Sequence, residues 1–154
     1  MDAASMTEYI VETFGGVDVV VANGDSFYFY DPGGDLPVDR RFPFATLVNS
    51  DVNDQASDLD RPDVYRLNVG VSRDTYRSLF GPPPAMRKDG GVVDTGHDFT
   101  ALDVIMPHPV YAALSWVCVL QPTTETFDTV KPLLAEAYER ARSQYAKQRP
   151  SARP

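Results

Sequence analysis

The sequence predicts an α+β fold, a single domain in which an antiparallel sheet of about five strands carries an N-terminal and a C-terminal helix. Three observations lead there. β-Branched and aromatic segments follow one another in a run between turn signals, without alternating with helices. Helical periodicity is confined to the two ends and one short stretch between them. At 154 residues the chain has room for one core and no second domain.

The first helix is expected to start near Ser5 or Thr7, each a suitable cap, and to run through Ile10 and Val11 to Phe14, where Gly15-Gly16 stops it. Asp18 to Ala22 is β-branched, Asn23-Gly24-Asp25 is a tight-turn signal, and Ser26 to Tyr30 is aromatic, so the segment reads as a hairpin. Asp31 to Pro43 reads as a loop. Phe44 to Asn49 is a third strand, and the acidic stretch Asp51 to Asp63 reads as a solvated loop. Asp51, Asn53 and Gln55 alternate as in a calcium loop, yet the required glycine and final glutamate are missing. Val64 to Val71 is a fourth strand with Arg66 and Asn68 on a polar face and Tyr65, Leu67, Val69 and Val71 on the other.

Ser72 caps a short helix, Arg73 to Phe80, which Gly81 and three prolines end. Residues 81–96 are expected to form an exposed loop. In the segment His97 to Tyr111, Phe99, Leu102, Ile105 and Met106 recur at helical spacing, which predicts helical turns ending before Pro107. Ser115 to Leu120 is the fifth strand. A last helix follows Gln121-Pro122-Thr123-Thr124, with Phe127, Val130, Leu133, Leu134, Ala137 and Tyr138 as its apolar stripe. Pro132 either belongs to the first turn of a late-starting helix or kinks an early one. The domain spans 1–147, and 148–154 is expected to be a flexible basic tail.

This element order resembles that of the MmcQ/YjbR-like domains, small α+β proteins described as DNA-binding double wings. The matching features are the helix before Gly16-Val17, the strand Asp25 to Tyr30, Val64 to Val71 before a short helix, Trp116 on the strand before the last helix, and Ala135 to Tyr138 within it. The phrases Tyr65 to Val71, Phe99 to Asp103 and Met106 to Tyr111 look closer still to an uncharacterised bacterial family related to that group. The resemblance implies the fold and a nucleic-acid role. Against that role, the Lys-Lys-His-Trp stretch common in the group is Ala113-Leu114-Ser115-Trp116 in this sequence.

Charge and composition narrow the function. A net charge of −8 opposes binding to a polyanion, so nucleic acid is not the expected partner. From Arg140 onward the balance reverses: Arg140, Arg142, Lys147, Arg149 and Arg153 face no acid, as befits a helix C-terminus. No membrane span and no secretion signal are expected, and the single Cys118, mid-strand and expected to be buried, fits a reducing, cytoplasmic setting. No nucleophile elbow, phosphate-binding loop or dinucleotide fingerprint occurs, and no cofactor or metal is expected.

Both histidines, His97 and His108, fall beside Asp98, Asp103 and Tyr111, and this is the candidate catalytic set: imidazole titrates near neutrality and a neighbouring carboxylate fixes its tautomer. The alternative is a loop histidine beside a capping Asp98, and a turn histidine held between Pro107 and Pro109. Arg66, Asn68, Tyr28, Tyr30 and Trp116 are the candidate substrate-binding residues. The expected function is therefore a cytoplasmic small-molecule-binding domain, with room for cofactor-independent acid/base chemistry on a small organic substrate. Its pocket would lie between the sheet and His97–Tyr111, under the 81–96 loop. The alternatives are a double-wing nucleic-acid binder and a non-enzymatic partner-binding module; in each case a monomer or homodimer is expected.

Overall fold

Six strands, all antiparallel to their neighbours, form one sheet in the order β1-β2-β3-β4-β6-β5. The computed structural model describes residues 1–37 and 40–148. The N-terminal helix α1 (Ala3–Thr13) is followed by β1 (Val17–Ala22), β2 (Asp25–Tyr30), β3 (Ala45–Val48), β4 (Arg66–Gly70), the short helix α2 (Arg73–Phe80), β5 (Ile105–Pro107), β6 (Trp116–Leu120) and the long helix α3 (Thr124–Gln148). The α+β class, the single domain and the helices at both ends are as the sequence predicts. Residues 149–154, most of the expected tail, lie outside the described residues.

Local chemistry explains the boundaries. Asp2, not Ser5 or Thr7, caps α1, accepting from the Ser5 amide at 2.8 Å. Asn23 and Gly24 both adopt positive φ, as the two-residue hairpin turn between β1 and β2 requires. Ser72 caps α2 through the Thr75 amide, and Gly81 ends it at φ 85°. α3 begins early, so Pro132 lies inside it. That proline is exposed, as is Asp128, whose carbonyl loses its helical partner on the water-facing side.

The extra strand replaces the predicted helical turns. Ile105, Met106 and Pro107 pair with Val119, Cys118 and Val117. Phe99 and Met106 are buried whereas Leu102 is exposed, so the apolar spacing does not mark one face. Asp103 stands at φ 63°, which no helix interior tolerates, and its amide bonds the Leu120 carbonyl.

Each face of the sheet is covered. Leu67, Val69, Val117 and Val119 pack under α1 and α3 against Met6, Ile10, Phe127, Val130 and Leu134. On the other face Val48, Cys118 and Leu120 pack with Leu59, Phe99 and Met106 from the segments that cross it. Cys118 is buried as expected, and desolvation pushes its thiol up to about 12.

The polar face of β4 is covered: Arg66 is 1% exposed and Asn68 2%. One sequence reading needs correction here: the acidic stretch is not a loop fully in water, because it folds over that face. Arg66 donates from Nη1 and Nη2 to both Asp54 oxygens at 3.0 and 2.7 Å, from Nη1 to Ser57 at 2.9 Å, and from Nε to Asn68 at 2.9 Å. Asn68 in turn donates to Thr46 on β3. Burial raises the Asp54 carboxyl, but the Arg66 hydrogen bond and charge outweigh it and hold the group below its ordinary value.

Removing one partner of such a pair leaves a buried charge uncompensated. Asp54→Ala is expected to cost about 3–5 kcal/mol, read as a lower urea midpoint, with Asp54→Asn intermediate. A loss within experimental error of zero would show that the loop is dispensable.

Candidate functional site

The proposed catalytic residues do not gather. His97 is exposed, its Nδ1 3.0 Å from the Thr95 hydroxyl and its ring edge-on to Phe80. Asp98 caps the turn at Thr100, accepting from its amide and hydroxyl. Asp103 holds the start of α3 by accepting from the Thr123 amide at 2.7 Å. His108 and Tyr111 do touch, with ring centroids 5.1 Å apart.

His108 is buried, and its Nδ1 accepts from the Val110 and Tyr111 amides at 3.0 Å each. That pins the tautomer: Nδ1 carries no proton and Nε2 does. Burial, with the Arg66 charge behind it and Asp54 opposing, lowers the imidazole from 6.5 to about 3. The ring thus caps the turn that leads into the 3-10 turn Ala112–Leu114. Among the described residues no three His, Cys, Asp or Glu side chains gather as a metal site requires.

The proposed binding residues divide. Arg66 and Asn68 belong to the buried network, and Tyr28 is a core residue bonded to Thr7 at 2.6 Å. Tyr30 and Trp116 line a cavity of about 240 Å³. It lies where the ends of β2, β4 and β6 meet Leu36, residues 40–44 and the last turns of α3, not under the 81–96 loop, which Val93 ties to the Pro109 carbonyl.

The cavity has three kinds of wall. The sheet end supplies Phe29, Tyr30, Gly70 and Trp116. A Cβ on Gly70 would stand 2.9 Å from Cε2 of Trp116, so the indole lies directly against that glycine. The α3 wall comes from Ala137, Arg140, Ala141, Gln144, Tyr145 and Gln148, spaced i, i+3, i+4 along one face, with alanine where the earlier stripe has leucine and valine. The third wall, from Leu36 and residues 40–44, adds Arg40 and Arg41, with Phe42, 69% exposed, facing water; Leu114, 60% exposed, also lines the cavity.

Three guanidinium groups therefore meet at one cavity of an acidic protein, and no carboxylate lines it among the described residues. They are not equivalent. Arg41 bonds Asp18, lies 3.6 Å from Asp31 and stacks 4.3 Å over the Phe29 ring. Arg140 uses Nη1 on the Gly70 and Val71 carbonyls at 3.1 and 2.7 Å, fastening α3 to the end of β4. Arg40 makes no side-chain bond among the described residues, and is exposed.

Sequence reasoning missed all three arginines as site residues. Arg140 was visible only as the start of a basic run, and the usable signal was the small and polar continuation of the α3 stripe past Tyr138.

Two outcomes are expected. Gly70→Ala forces the Trp116 indole to shift and should cost about 1–3 kcal/mol, with a changed tryptophan emission maximum; an unchanged emission and melting temperature would mean that the indole is not seated on the glycine. For His108, the folded value is depressed, so its stabilisation is present above about 6.5 and is lost as pH falls towards about 3. Stability should therefore fall by up to about 1.4 kcal/mol per pH unit from this group alone. His108→Asn, which retains an acceptor at the Nδ1 position, should flatten urea stability between pH 5 and 6.5 relative to the wild type (bounds about those of the unperturbed imidazole and carboxylates). Parallel pH curves for the two proteins would refute the buried neutral imidazole.

No curated protein and no solved structure matches the chain. One family model does, over residues 1–150, and its family is described as one of unknown function. With that match spanning nearly all of the sequence, the chain belongs to the DUF6194 family.

Proposed function

We propose that the protein is a small-molecule-binding domain whose ligand occupies the cavity between α3 and the end of the sheet. The observation that carries this reading is the cavity itself, with aromatic walls and arginine side chains in a protein of net charge −8. Sites for small molecules combine such an apolar lining with a few placed polar groups. Of the expected site residues, Tyr30 and Trp116 carry the proposal. The described lining holds no imidazole, carboxylate, thiol or aliphatic hydroxyl, which favours binding over acid/base catalysis.

The helix, strand-run, helix order is the feature that speaks for kinship with the MmcQ/YjbR-like domains. The buried, unpaired Cys118 supports a reducing, cytoplasmic one, and no helix among the described residues is long and apolar enough to cross a membrane. The acidic charge speaks against a nucleic-acid partner.

Trp116 is the only tryptophan, so its indole N–H gives a single resonance in a ¹H–¹⁵N spectrum. Titration with one- and two-ring aromatic fragments, neutral and anionic, should move that resonance saturably. Ala141→Leu, which fills the cavity with a good helix former, should abolish the shift while the rest of the spectrum stays folded. If no fragment at millimolar concentration moves the resonance of the wild type, the cavity is not a binding site.

A further inference from the structure

The walls of the cavity also say what kind of molecule fits. About 240 Å³ is below the roughly 300–1,000 Å³ of drug-sized pockets, so the ligand is small. Flat surfaces dominate the sheet end: the Trp116 indole pressed against Gly70, the Tyr30 ring, and the Phe29 ring with a guanidinium stacked on it. Offset stacking and edge contacts with such rings favour a planar aromatic body over an aliphatic one.

Charge is the second constraint. Arg41 is already matched by Asp18 and Asp31, which stand on either side of it. The other two make no ion pair among the described residues, although Glu136 stands one helical turn before Arg140 and its carboxyl is lowered in part by that charge. Arg140 spends one nitrogen on the carbonyls of β4, leaving Nε and Nη2 without an acceptor among the described residues, and Arg40 has none for its side chain. A guanidinium with a free edge matches a carboxylate, which it binds with two parallel hydrogen bonds. The Gln144 and Gln148 amides, on the same face of α3, add donors and acceptors for ring substituents without adding charge.

Resting on the binding reading above, we propose that the cavity selects a small planar aromatic carboxylate, its ring against Trp116 and its carboxylate on Arg140 and Arg40. The preference over a phosphate follows from the charge balance. With Arg41 matched by its two acids, the remaining cations suit one carboxylate held at a fork better than a dianion with a third oxygen to satisfy.

The test is calorimetry with three probes: 2-naphthoate, its neutral isostere 2-naphthamide, and inorganic phosphate. The full chain should bind 2-naphthoate about tenfold or more tightly than the amide, the scale of one charge-assisted hydrogen bond. Arg140→Gln should remove most of that difference, weakening 2-naphthoate far more than 2-naphthamide. Because Arg140 also fastens α3 to the end of β4, Arg40→Gln at the exposed partner serves as the second variant, and it should narrow the same difference. Added salt should weaken the naphthoate and not the amide.

The outcomes separate the two claims. Equal affinity for naphthoate and naphthamide, or a naphthoate affinity indifferent to both arginine variants, would overturn the carboxylate assignment and leave the binding reading standing. Displacement of naphthoate by phosphate at comparable concentration would overturn it in favour of a phosphate site. Binding of neither aromatic probe, with the Trp116 resonance also unmoved by the wider fragment panel, would remove both.

Discussion

A charged side chain in the middle of a sheet dictates much of this architecture. Arg66 sits on β4, the strand that joins the hairpin half of the sheet to β6, and it is buried. A guanidinium taken out of water needs a counter-charge and an acceptor for its N–H groups. The segment between β3 and β4 provides them through Asp54 and Ser57, and the same segment brings Leu59 onto the second core. Arg61 then ties this cover to the next by donating to the Ser57, Asp58 and Thr100 carbonyls. On the irregular side of the sheet, polar bonds radiating from one strand join a smaller apolar cluster, where the helical side rests on the larger apolar core.

That division explains what could be read in advance. The hairpin, α2 and the apolar stripe of α3 follow from periodicity and turn chemistry, which act over a few residues. Asn23-Gly24 and Ser72 needed no tertiary information. The face of β4 did. Arg66 and Asn68 alternate with apolar residues in the pattern of a half-solvated strand, and only the return of Asp54 from outside the strand makes them internal. β5 was hidden for a related reason: a three-residue strand has too short a period to register, and its existence depends on pairing with β6.

The candidate site was partly visible for the same physical reason. Tyr30 and Trp116 are large rings near strand ends, conspicuous in any sequence. The histidine cluster was conspicuous too, yet proximity along the chain did not become a common cavity. His108 turned inward to cap two amides, His97 stayed in water, Asp98 closed a turn of its own, and Asp103 went to the start of α3. The arginines that define the cavity come from opposite ends of the chain, and a single sequence carries no trace of their meeting. What it does carry is the substitution of alanine for larger residues along α3, the absence of bulk that lets a cavity exist.

The fastenings of α3 have a kinetic side. Its bonds to the rest of the fold span 70 positions from Arg140 to Gly70 and 123 from Tyr138 to Gly15. Loop-closure entropy over such separations must be met before the contacts form, so this helix is held in place by non-local bonds. One wall of the cavity is α3, which follows every strand of the sheet along the chain. The nascent chain can assemble its meander while Trp116 still lacks its cover. Anything that fills the cavity meets only molecules whose final helix has already docked, so occupancy and completion of the fold become a single linked equilibrium.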